Sequence, residues 1–410
     1  MTRLSSSRIA VAAVAAAAMA GLAACGPVQA AGSSASAGPG TTTPATSAAA
    51  ATSPVPAGSS AAPAGFQVVS MSFVSDQQGF ALGSVACGTG RCGALLGTTD
   101  GGATWTPLTA PARTVPGPYD DCPGGASPCA GQIRFATPLV GYAFDQSLLM
   151  TADGGRTWAP QGQDVSSLEA AGGTVVRVAD TLGCSGAPGQ VQVADVGSTA
   201  WRPLPAPRVA LQCPGVLYRQ GERLVEVAYG NAAGGVPATA LLARSADGGQ
   251  AWTAATSDSC SAASGTDHDG FASGVALAPP DVLVQLCQHQ RAGPGGAYAP
   301  GWIRVSANGG ASYGPGETLP AIEHPAGDGS DDQVAAASAG RMLVTENSAA
   351  GSQVLLTGNG GVSWATVLRL PASAPAVLVG FEDPLTARVA QGDHLWTTRD
   401  GGRTWVSSQF

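Results

Sequence analysis

The sequence predicts an all-β fold, a seven-bladed β-propeller built from four-stranded antiparallel blades. The chain of 410 residues contains 58 glycines and 30 prolines, a composition that favours turns and short strands over long helices. An eight-residue segment with an aromatic last residue recurs along the chain, and those last residues lie at positions 105, 158, 201, 252, 313, 364 and 405. Intervals of 41 to 61 residues suit four-stranded blades, so residues 66–410 are predicted to form one propeller domain.

Residues 1–24, which precede this domain, are typical of a targeting segment. Arg3 and Arg8 form a basic start, and the apolar run that follows over residues 9–20 is too short for a confident membrane span. The next residues resemble a bacterial lipobox, Leu22-Ala23-Ala24-Cys25-Gly26. The resemblance implies an exported protein that is lipidated on its first mature residue and anchored to the outer face of the cytoplasmic membrane. The alternative is an ordinary secretory signal cleaved at a small residue.

Residues 25–65 begin with the predicted lipidation site, Cys25, and continue as a low-complexity segment. Apart from Val28, Gln29 and Val55, every residue from 26 to 65 is Ala, Gly, Pro, Ser or Thr. Such a segment buries too little apolar surface to offset the entropy lost on ordering. We therefore predict a disordered tether that holds the propeller away from the membrane.

The charge distribution argues against a nucleic-acid partner. All 19 basic residues are arginine, and residues 66–410 hold 17 of them together with all 27 acidic residues, a net charge of −10. Binding to phosphates requires a basic surface, which this composition does not provide.

The cysteine content supports export. Besides Cys25 the chain has eight cysteines, and an even number in an exported chain suggests disulfides. The two tight pairs in sequence suggest Cys87–Cys92 and Cys122–Cys129, and the simplest remaining pairs are Cys184–Cys213 and Cys260–Cys287. The alternative, a zinc site, suits these spacings poorly because no histidine lies near the tight pairs.

The recurring segment follows the pattern Ser/Thr-x-Asp-x-Gly-x-Thr-Trp, with Asn replacing Asp in two of six good copies. A seventh copy, Asp195 to Trp201, is degenerate. The pattern resembles the Asp box, or BNR repeat, of sialidase-like and related β-propellers. A second pattern, Phe73 before Gly79-Phe80-Ala81, returns at Phe135 and is closest in style to propellers of the photosystem II assembly-factor type. The matching Asp-box positions are Asp100, Trp105, Asp153, Trp158, Asp247, Trp252, Asn308, Tyr313, Asn359, Trp364, Asp400 and Trp405.

The physical chemistry of these residues favours a structural role. The Asp or Asn side chain can accept backbone N–H bonds within a turn, and the glycines adopt positive φ. The final Trp buries a large ring against neighbouring strands. Because a catalytic residue is not needed six times in one fold, we interpret each copy as a turn joining the third and fourth strands of a blade.

Strand order places the candidate binding residues on one face. In a four-stranded antiparallel blade, the turns after the first and third strands share one face, and the connections after the second and fourth strands share the other. The long irregular connections occupy the second face, where binding is expected. The candidate binding residues there are Tyr119, Asp120, Asp121, Asp267, His268, Asp269, His289 and Tyr298.

No cofactor or metal is predicted for this face. The four histidines show no recognised ligand spacing. Calcium binding between Asp328 and Asp332 is an alternative, but solvated acidic loops are the favoured interpretation.

We expect a non-catalytic, monomeric propeller that binds a protein or glycan, in an assembly or sensory role. The alternative is an exo-sialidase-like glycoside hydrolase. The resemblance then implies three arginines for the substrate carboxylate and an Arg-Ile-Pro type motif near the start of the domain. The chain departs from that pattern, because its first arginine after the tether is Arg91. A purely structural role in the envelope is a third hypothesis.

Overall fold

The computed structural model describes residues 62–410 with gaps, and no helix among the described residues is long and apolar enough to span a membrane. The gaps are residues 89, 114–128, 146, 163, 180–188, 206–215, 232–236, 258–259, 261–269, 290–299, 321–331, 349–350 and 372–377. The predicted signal peptide, residues 1–24, and the predicted tether up to residue 61 lie outside the described part of the chain.

The first four blades follow one another along the chain, and each is a sheet of four antiparallel strands. Blade 1 contains β1 (Gln67–Phe73), β2 (Gly79–Cys87), β3 (Gly90–Thr98) and β4 (Thr106–Leu108). Blade 2 contains β5 (Ala130–Phe135), β6 (Gly141–Asp145), β7 (Leu149–Thr151) and β8 (Ala159–Pro160). Blade 3 contains β9 (Val165–Ala171), β10 (Thr174–Ala179), β11 (Gln190–Asp195) and β12 (Arg202–Pro203). Blade 4 contains β13 (Val216–Gln220), β14 (Arg223–Asn231), β15 (Pro237–Ser245) and β16 (Thr253–Ser257).

The last three blades have the same order and complete the predicted set of seven. Blade 5 contains β17 (Gly270–Ala278), β18 (Val282–His289), β19 (Trp302–Ser306) and β20 (Glu317–Thr318). Blade 6 contains β21 (Gln333–Ala336), β22 (Met342–Ser348), β23 (Gly351–Thr357) and β24 (Ala365–Leu370). Blade 7 contains β25 (Leu378–Phe381), β26 (Ala387–Gln391), β27 (His394–Thr398) and β28 (Val406–Gln409). The all-β fold, the seven blades and the four-stranded antiparallel architecture are confirmed.

The first strands of neighbouring blades are joined by side chains. The amides of Ile133 and Phe135 in β5 donate to the hydroxyls of Ser70 (3.1 Å) and Ser72 (2.8 Å) in β1. The Leu217 amide in β13 likewise donates to Ser167 Oγ in β9 at 2.9 Å. These bonds satisfy N–H groups that a strand at the edge of its sheet would otherwise leave unpaired.

Apolar side chains between the blades form the core. Seven clusters of buried residues occupy the seven blade-to-blade interfaces, and Leu82 and Leu95 of blade 1, for example, share a cluster with Ile133 of blade 2. Because both faces of a blade are covered, a middle strand such as β18 is apolar at consecutive positions, from Val282 to Val284. Every cluster includes the last aromatic residue of one copy of the repeat, namely Trp105, Trp158, Trp201, Trp252, Tyr313, Trp364 or Trp405.

Among the residues that the structure describes, no strand is shared where the ring closes, because blade 1 uses β1–β4 and blade 7 uses β25–β28. Arg388 in β26 makes the principal contact across this seam. Its side chain donates to the carbonyl oxygens of Gly101 (2.6 Å) and Asp76 (2.8 Å) in blade 1, and it pairs with Glu382 in its own blade. The guanidinium lies 3.7 Å from the centre of the Phe73 ring.

A second set of contacts closes the other end of the seam. The rings of Phe66 and Phe410, near the two ends of the domain, lie 5.3 Å apart, and Phe410 is 5.0 Å from Trp105. The Val68 amide donates to the Gly392 carbonyl at 2.9 Å. Side-chain packing and single hydrogen bonds therefore replace the ladder that a shared strand would supply.

Candidate binding face

Two faces of the propeller differ in the kind of connection they carry. We call the face with the turns after the first and third strands the turn face, and the face with the other connections the loop face. In all seven blades, a backbone amide of the repeat donates to a carbonyl in the turn after the first strand, as Gly154 does to Leu139 at 2.9 Å.

The repeat on the turn face is a closed hydrogen-bond unit. In blade 2, the Thr151 hydroxyl donates to Asp153 (2.8 Å) and accepts from the Gly155 amide (2.9 Å). The amide and hydroxyl of Thr157 both donate to Asp153, at 2.9 and 2.6 Å. The Thr157 bonds hold the pKa of Asp153 low, at about 2. Both carboxylate oxygens of Asp153 thus accept hydrogen bonds from residues of the same turn, as expected for a structural role.

The other good copies repeat this geometry with small variations. The first hydroxyl donates to the Asp or Asn side chain at 2.8 to 3.0 Å in each of them. In the two Asn copies the direction of the second side-chain bond is reversed, because Asn308 and Asn359 donate to Ser312 and Ser363. The resemblance to the Asp box therefore has a consistent local structure in this chain.

The aromatic residues of the repeats pack against the core clusters and differ in exposure. Trp105 is 6% exposed, whereas the other six are half-buried, namely Trp158, Trp201, Trp252, Tyr313, Trp364 and Trp405. Each packs between its own blade and the preceding one, so the repeats join blades as well as strands.

Most of the predicted binding residues lie outside the part of the chain that the structure describes. Of the candidates, only His289 is described, at the end of β18 on the loop face. The others lie outside the described residues, namely Tyr119, Asp120, Asp121, Asp267, His268, Asp269 and Tyr298. The residues proposed as a calcium alternative also fall there, except Asp332.

Blade 5 carries an ordered cluster at the loop face. The ring of His289 lies 4.8 Å from the ring of Trp302, which is 8% exposed. A disulfide joins Cys260, in the connection before β17, to Cys287 in β18, and both are fully buried with Trp302. The disulfide fixes the incoming connection against the strand that presents His289, so this ring has a rigid support.

Buried polar groups lie next to this cluster, between blades 5 and 6. The Gln288 side chain donates to Asp332 at 3.2 Å, and the Gln353 side chain donates to Glu346 at 2.8 Å. Glu346 is 2% exposed, and burial raises its pKa to about 7. The loop-face end of this interface therefore carries acidic groups in a poorly solvated setting.

Blade 1 presents a second disulfide at the loop face. Cys87 and Cys92 join across the turn between β2 and β3, with a Cα–Cα distance of 5.7 Å. Arg91, at the start of β3, donates to Ser84 Oγ at 2.7 Å and to the Gly65 carbonyl at 3.5 Å. These two disulfides are pairs that the sequence suggested. Cys129 is also disulfide-bonded, whereas Cys122, Cys184 and Cys213 lie outside the described residues.

Glu226, a buried carboxyl in the middle of β14, was not among the residues predicted from the sequence. It is 5% exposed, its Oε2 atom has no hydrogen-bond partner, and burial raises its pKa to about 7. The available signal was a charged residue inside an apolar strand, Leu224-Val225-Glu226-Val227. Within the described residues, no three His, Cys, Asp or Glu side chains converge as metal ligands would.

Comparison with known proteins supports the fold. No protein-family model and no curated protein matches the chain. Among solved structures, YCF48 bound to D1 peptide is 16% identical, with a TM-score of 0.50 over 83% of this chain and 92% of that one. YCF48 from Cyanidioschyzon merolae is 14% identical, with a TM-score of 0.43 over 67% of this chain and 83% of that one.

The structure of a hydrolytic enzyme has a similar TM-score. A puromycin-hydrolyzing peptidase from Mycobacterium tuberculosis is 11% identical, with a TM-score of 0.52 over 84% of this chain. The match covers only 52% of the peptidase, so the chain spans about half of that protein's length. Structures similar to this fold thus include a peptidase as well as YCF48, and the fold by itself does not decide between catalysis and binding.

Proposed function

We propose that this chain is an exported lipoprotein whose propeller binds a protein partner through its loop face without catalysing a reaction. The observation that carries the proposal is the contrast between the faces. The repeats of the turn face use their polar side chains within their own turns, as Asp153 does. The loop face carries the Cys87–Cys92 and Cys260–Cys287 disulfides, the disulfide-bonded Cys129 and the His289–Trp302 pair. Irregular connections on a rigid scaffold are the usual place for recognition.

A protein partner is favoured over a glycan by the structural comparison. YCF48, whose structure contains a D1 peptide, has a propeller that this chain matches over most of both lengths. We propose by analogy that the chain recognises a segment of another protein, in an assembly or sensory role. The shared fold supports the analogy. No contact residue is carried over from YCF48, so the residues that bind the partner have to be found in this chain by experiment.

The exo-sialidase-like alternative is tested separately from binding. A fluorogenic sialoside tests the sialidase alternative, and saturable turnover lost on unfolding would contradict the proposal.

The proposed lipid anchor has its own test. Cys25→Ser should release the protein from membranes into the medium, because lipidation at Cys25 is the proposed attachment. Membrane fractionation after a high-salt wash measures the release. Retention of the Cys25→Ser chain would contradict the lipoprotein assignment.

The binding face is tested by crosslinking from two matched aliphatic positions. Val216, at the loop-face start of β13, is 40% exposed, and Leu139, in a turn-face connection of blade 2, is 55% exposed. A photoreactive residue at Val216 should yield adducts in living cells, whereas the same residue at Leu139 should yield few. Adducts mainly from Leu139 would show that the binding face is assigned the wrong way round.

A further inference from the structure

The Cys87–Cys92 disulfide lies at the tip of the hairpin that β2 and β3 form on the loop face. Both cysteines are half-buried, and the described turn residues between them are exposed. The Cys260–Cys287 disulfide of blade 5 differs, because both of its cysteines are 0% exposed. Exchange requires a thiolate to reach a disulfide sulfur. Of these two disulfides, the one in blade 1 is therefore the one that a thiol can reach in the folded chain.

The space next to this disulfide is open. A Cβ atom built at Gly88 or at Gly90 would have nothing within 4 Å. Neither glycine is therefore covered by another part of the described chain, and the backbone of a second polypeptide can approach the turn.

The hairpin does not depend on the disulfide for its pairing. β2 and β3 form an antiparallel ladder along their whole length, from Gly79 opposite Thr98 to Cys87 opposite Gly90. The two cysteines are only 5 positions apart, against 27 for the disulfide of blade 5. Closing a short loop removes less entropy from the unfolded chain, so this disulfide contributes less to stability. Reduction should therefore leave the propeller folded.

Arg91 gives the tip a positive charge. It is the only charged residue between Asp76 and Asp100, in a domain with a net negative charge. Its guanidinium donates to neutral oxygens, those of Ser84 and the Gly65 carbonyl, so no carboxylate of the described residues neutralises it. A positive charge near a disulfide attracts the attacking thiolate and favours the thiolate that leaves.

We propose that Cys87–Cys92 is an exchangeable disulfide that oxidises a pair of thiols in another exported polypeptide. A thiolate of that polypeptide attacks one sulfur of the pair, the sulfur–sulfur bond breaks, and the other sulfur leaves as a thiolate. The second thiol of the polypeptide then loses its proton and attacks the mixed disulfide, which releases the first sulfur. Two electrons and two protons pass to the chain. The polypeptide gains a disulfide, and Cys87 and Cys92 become thiols.

This proposal rests on the proposed export, because disulfides persist in oxidising compartments. It depends neither on the lipid anchor nor on the partner that the loop face binds. Tests on purified protein can therefore contradict it without contradicting the proposed binding face.

Selective reduction measures the accessibility of the disulfide. The folded Cys25→Ser chain is incubated with glutathione, its thiols are blocked with iodoacetamide, and the blocked cysteines are identified by mass spectrometry. We expect Cys87–Cys92 to be reduced at least about tenfold faster than Cys260–Cys287, with an unchanged near-UV circular dichroism spectrum. Equal rates, or reduction of Cys87–Cys92 only after unfolding, would overturn the proposal.

Transfer of the disulfide tests the reaction itself. The Cys25→Ser chain is mixed without air with an excess of a synthetic peptide that contains two reduced cysteines. We expect about one peptide disulfide per chain, with the new protein thiols at Cys87 and Cys92 by mass spectrometry. New thiols at other cysteines, or no oxidised peptide, would overturn the proposal.

The matched control carries Cys87→Ala and Cys92→Ala and retains Cys260–Cys287. It should unfold cooperatively, because the ladder of β2 and β3 remains, and it should oxidise less than about a tenth as much peptide. Equal oxidation by this variant and by the parent chain would overturn the proposal.

Discussion

The Phe73 ring requires a glycine at position 79, at the start of β2. A Cβ atom at Gly79 would lie 2.3 Å from the Phe73 ring, and the ring cannot easily shift because Arg388 lies against it. Gly141 and Phe135 repeat this arrangement in blade 2, with a distance of 2.5 Å. The recurring spacing of Phe and Gly in the sequence thus has a steric origin.

This close contact predicts the effect of a single methyl group. Gly79→Ala should destabilise the protein by about 1–3 kcal/mol, as for other insertions into a packed site. Gly380→Ala is the control, because nothing lies within 4 Å of a Cβ atom there. Urea unfolding measures both variants. Equal stability of the two would mean that the Phe73 ring does not constrain position 79.

The buried hydroxyl of the repeat gives a second prediction at this scale. Thr151 is 1% exposed and bonds to the Gly155 amide, so Thr151→Val leaves that amide without its partner. The expected loss of stability is about 1–3 kcal/mol. Thr157→Val removes an exposed hydroxyl from the same turn and should cost less. A larger loss at Thr157 would contradict the assignment of the first hydroxyl as the principal bond of the turn.

Single-residue roles were predictable only where they depend on local sequence. The Asp153 bonds involve residues at most four positions away, so the pattern contains all the partners. The burial of Glu226 could not be predicted from the neighbouring residues in the sequence. Its burial depends on packing between blades, and a strand sequence does not state which neighbour covers each side.

At the scale of elements, the hairpins were more predictable than the interfaces between blades. Apolar runs separated by turns predict strands at 68–74, 79–85, 92–99 and 104–108, and the observed strands β1 to β4 differ from them by at most two residues at either end. The half-buried state of Trp158 was not evident from the sequence. Exposure depends on how far the preceding blade extends, which is a property of two elements together.

The seam between blades 7 and 1 is the element contact with the sharpest prediction. Arg388 is 3% exposed and bonds to two carbonyls across the seam, so Arg388→Met should cost about 3–5 kcal/mol. Arg399→Met is the matched control. Its ion pair with Asp76, at 3.8 Å, is half-exposed and should contribute less than about 1 kcal/mol. Similar thermal unfolding of both variants would show that Arg388 does not close the ring.

At the scale of the whole molecule, buried acids govern the response to pH. Burial raises the pKa values of Glu226 and Glu346 to about 7. A raised carboxyl pKa stabilises the fold below the unfolded value, and this stability is lost as pH rises through the folded value. The low pKa of Asp153, about 2, acts oppositely and weakens the fold only at strongly acidic pH. Stability should therefore be highest at mildly acidic pH.

This balance predicts a greater free energy of unfolding at pH 5 than at pH 8. Each raised carboxyl contributes up to about 3 kcal/mol to the difference, at roughly 1.4 kcal/mol per pKa unit. Glu226→Gln should reduce the difference, because the amide stays neutral at both values. Glu222→Gln, at a largely exposed position, should leave it unchanged. A wild-type stability that rises steadily from pH 5 to pH 8 would contradict the prediction.

The architecture was predictable from the sequence because it repeats, whereas the function depends on parts that do not repeat. Seven similar units, together with the resemblance to Asp-box propellers, allowed the blade count and strand order to be predicted. The loop face has no such redundancy, since connections like that before Cys260 differ from blade to blade in length and composition. The shape and charge of a recognition surface complement its partner, and the identity of that partner cannot be deduced from this sequence.

Amide hydrogen exchange on the Cys25→Ser chain tests the central claim most directly. The ligand is the partner segment recovered by crosslinking at Val216, added at saturating concentration. The account predicts slower exchange on the loop face, at residues 90–93 and 286–289, with no change in the repeat at residues 151–158. Protection confined to residues 151–158 and the other repeats, with loop-face exchange unaltered, would contradict it.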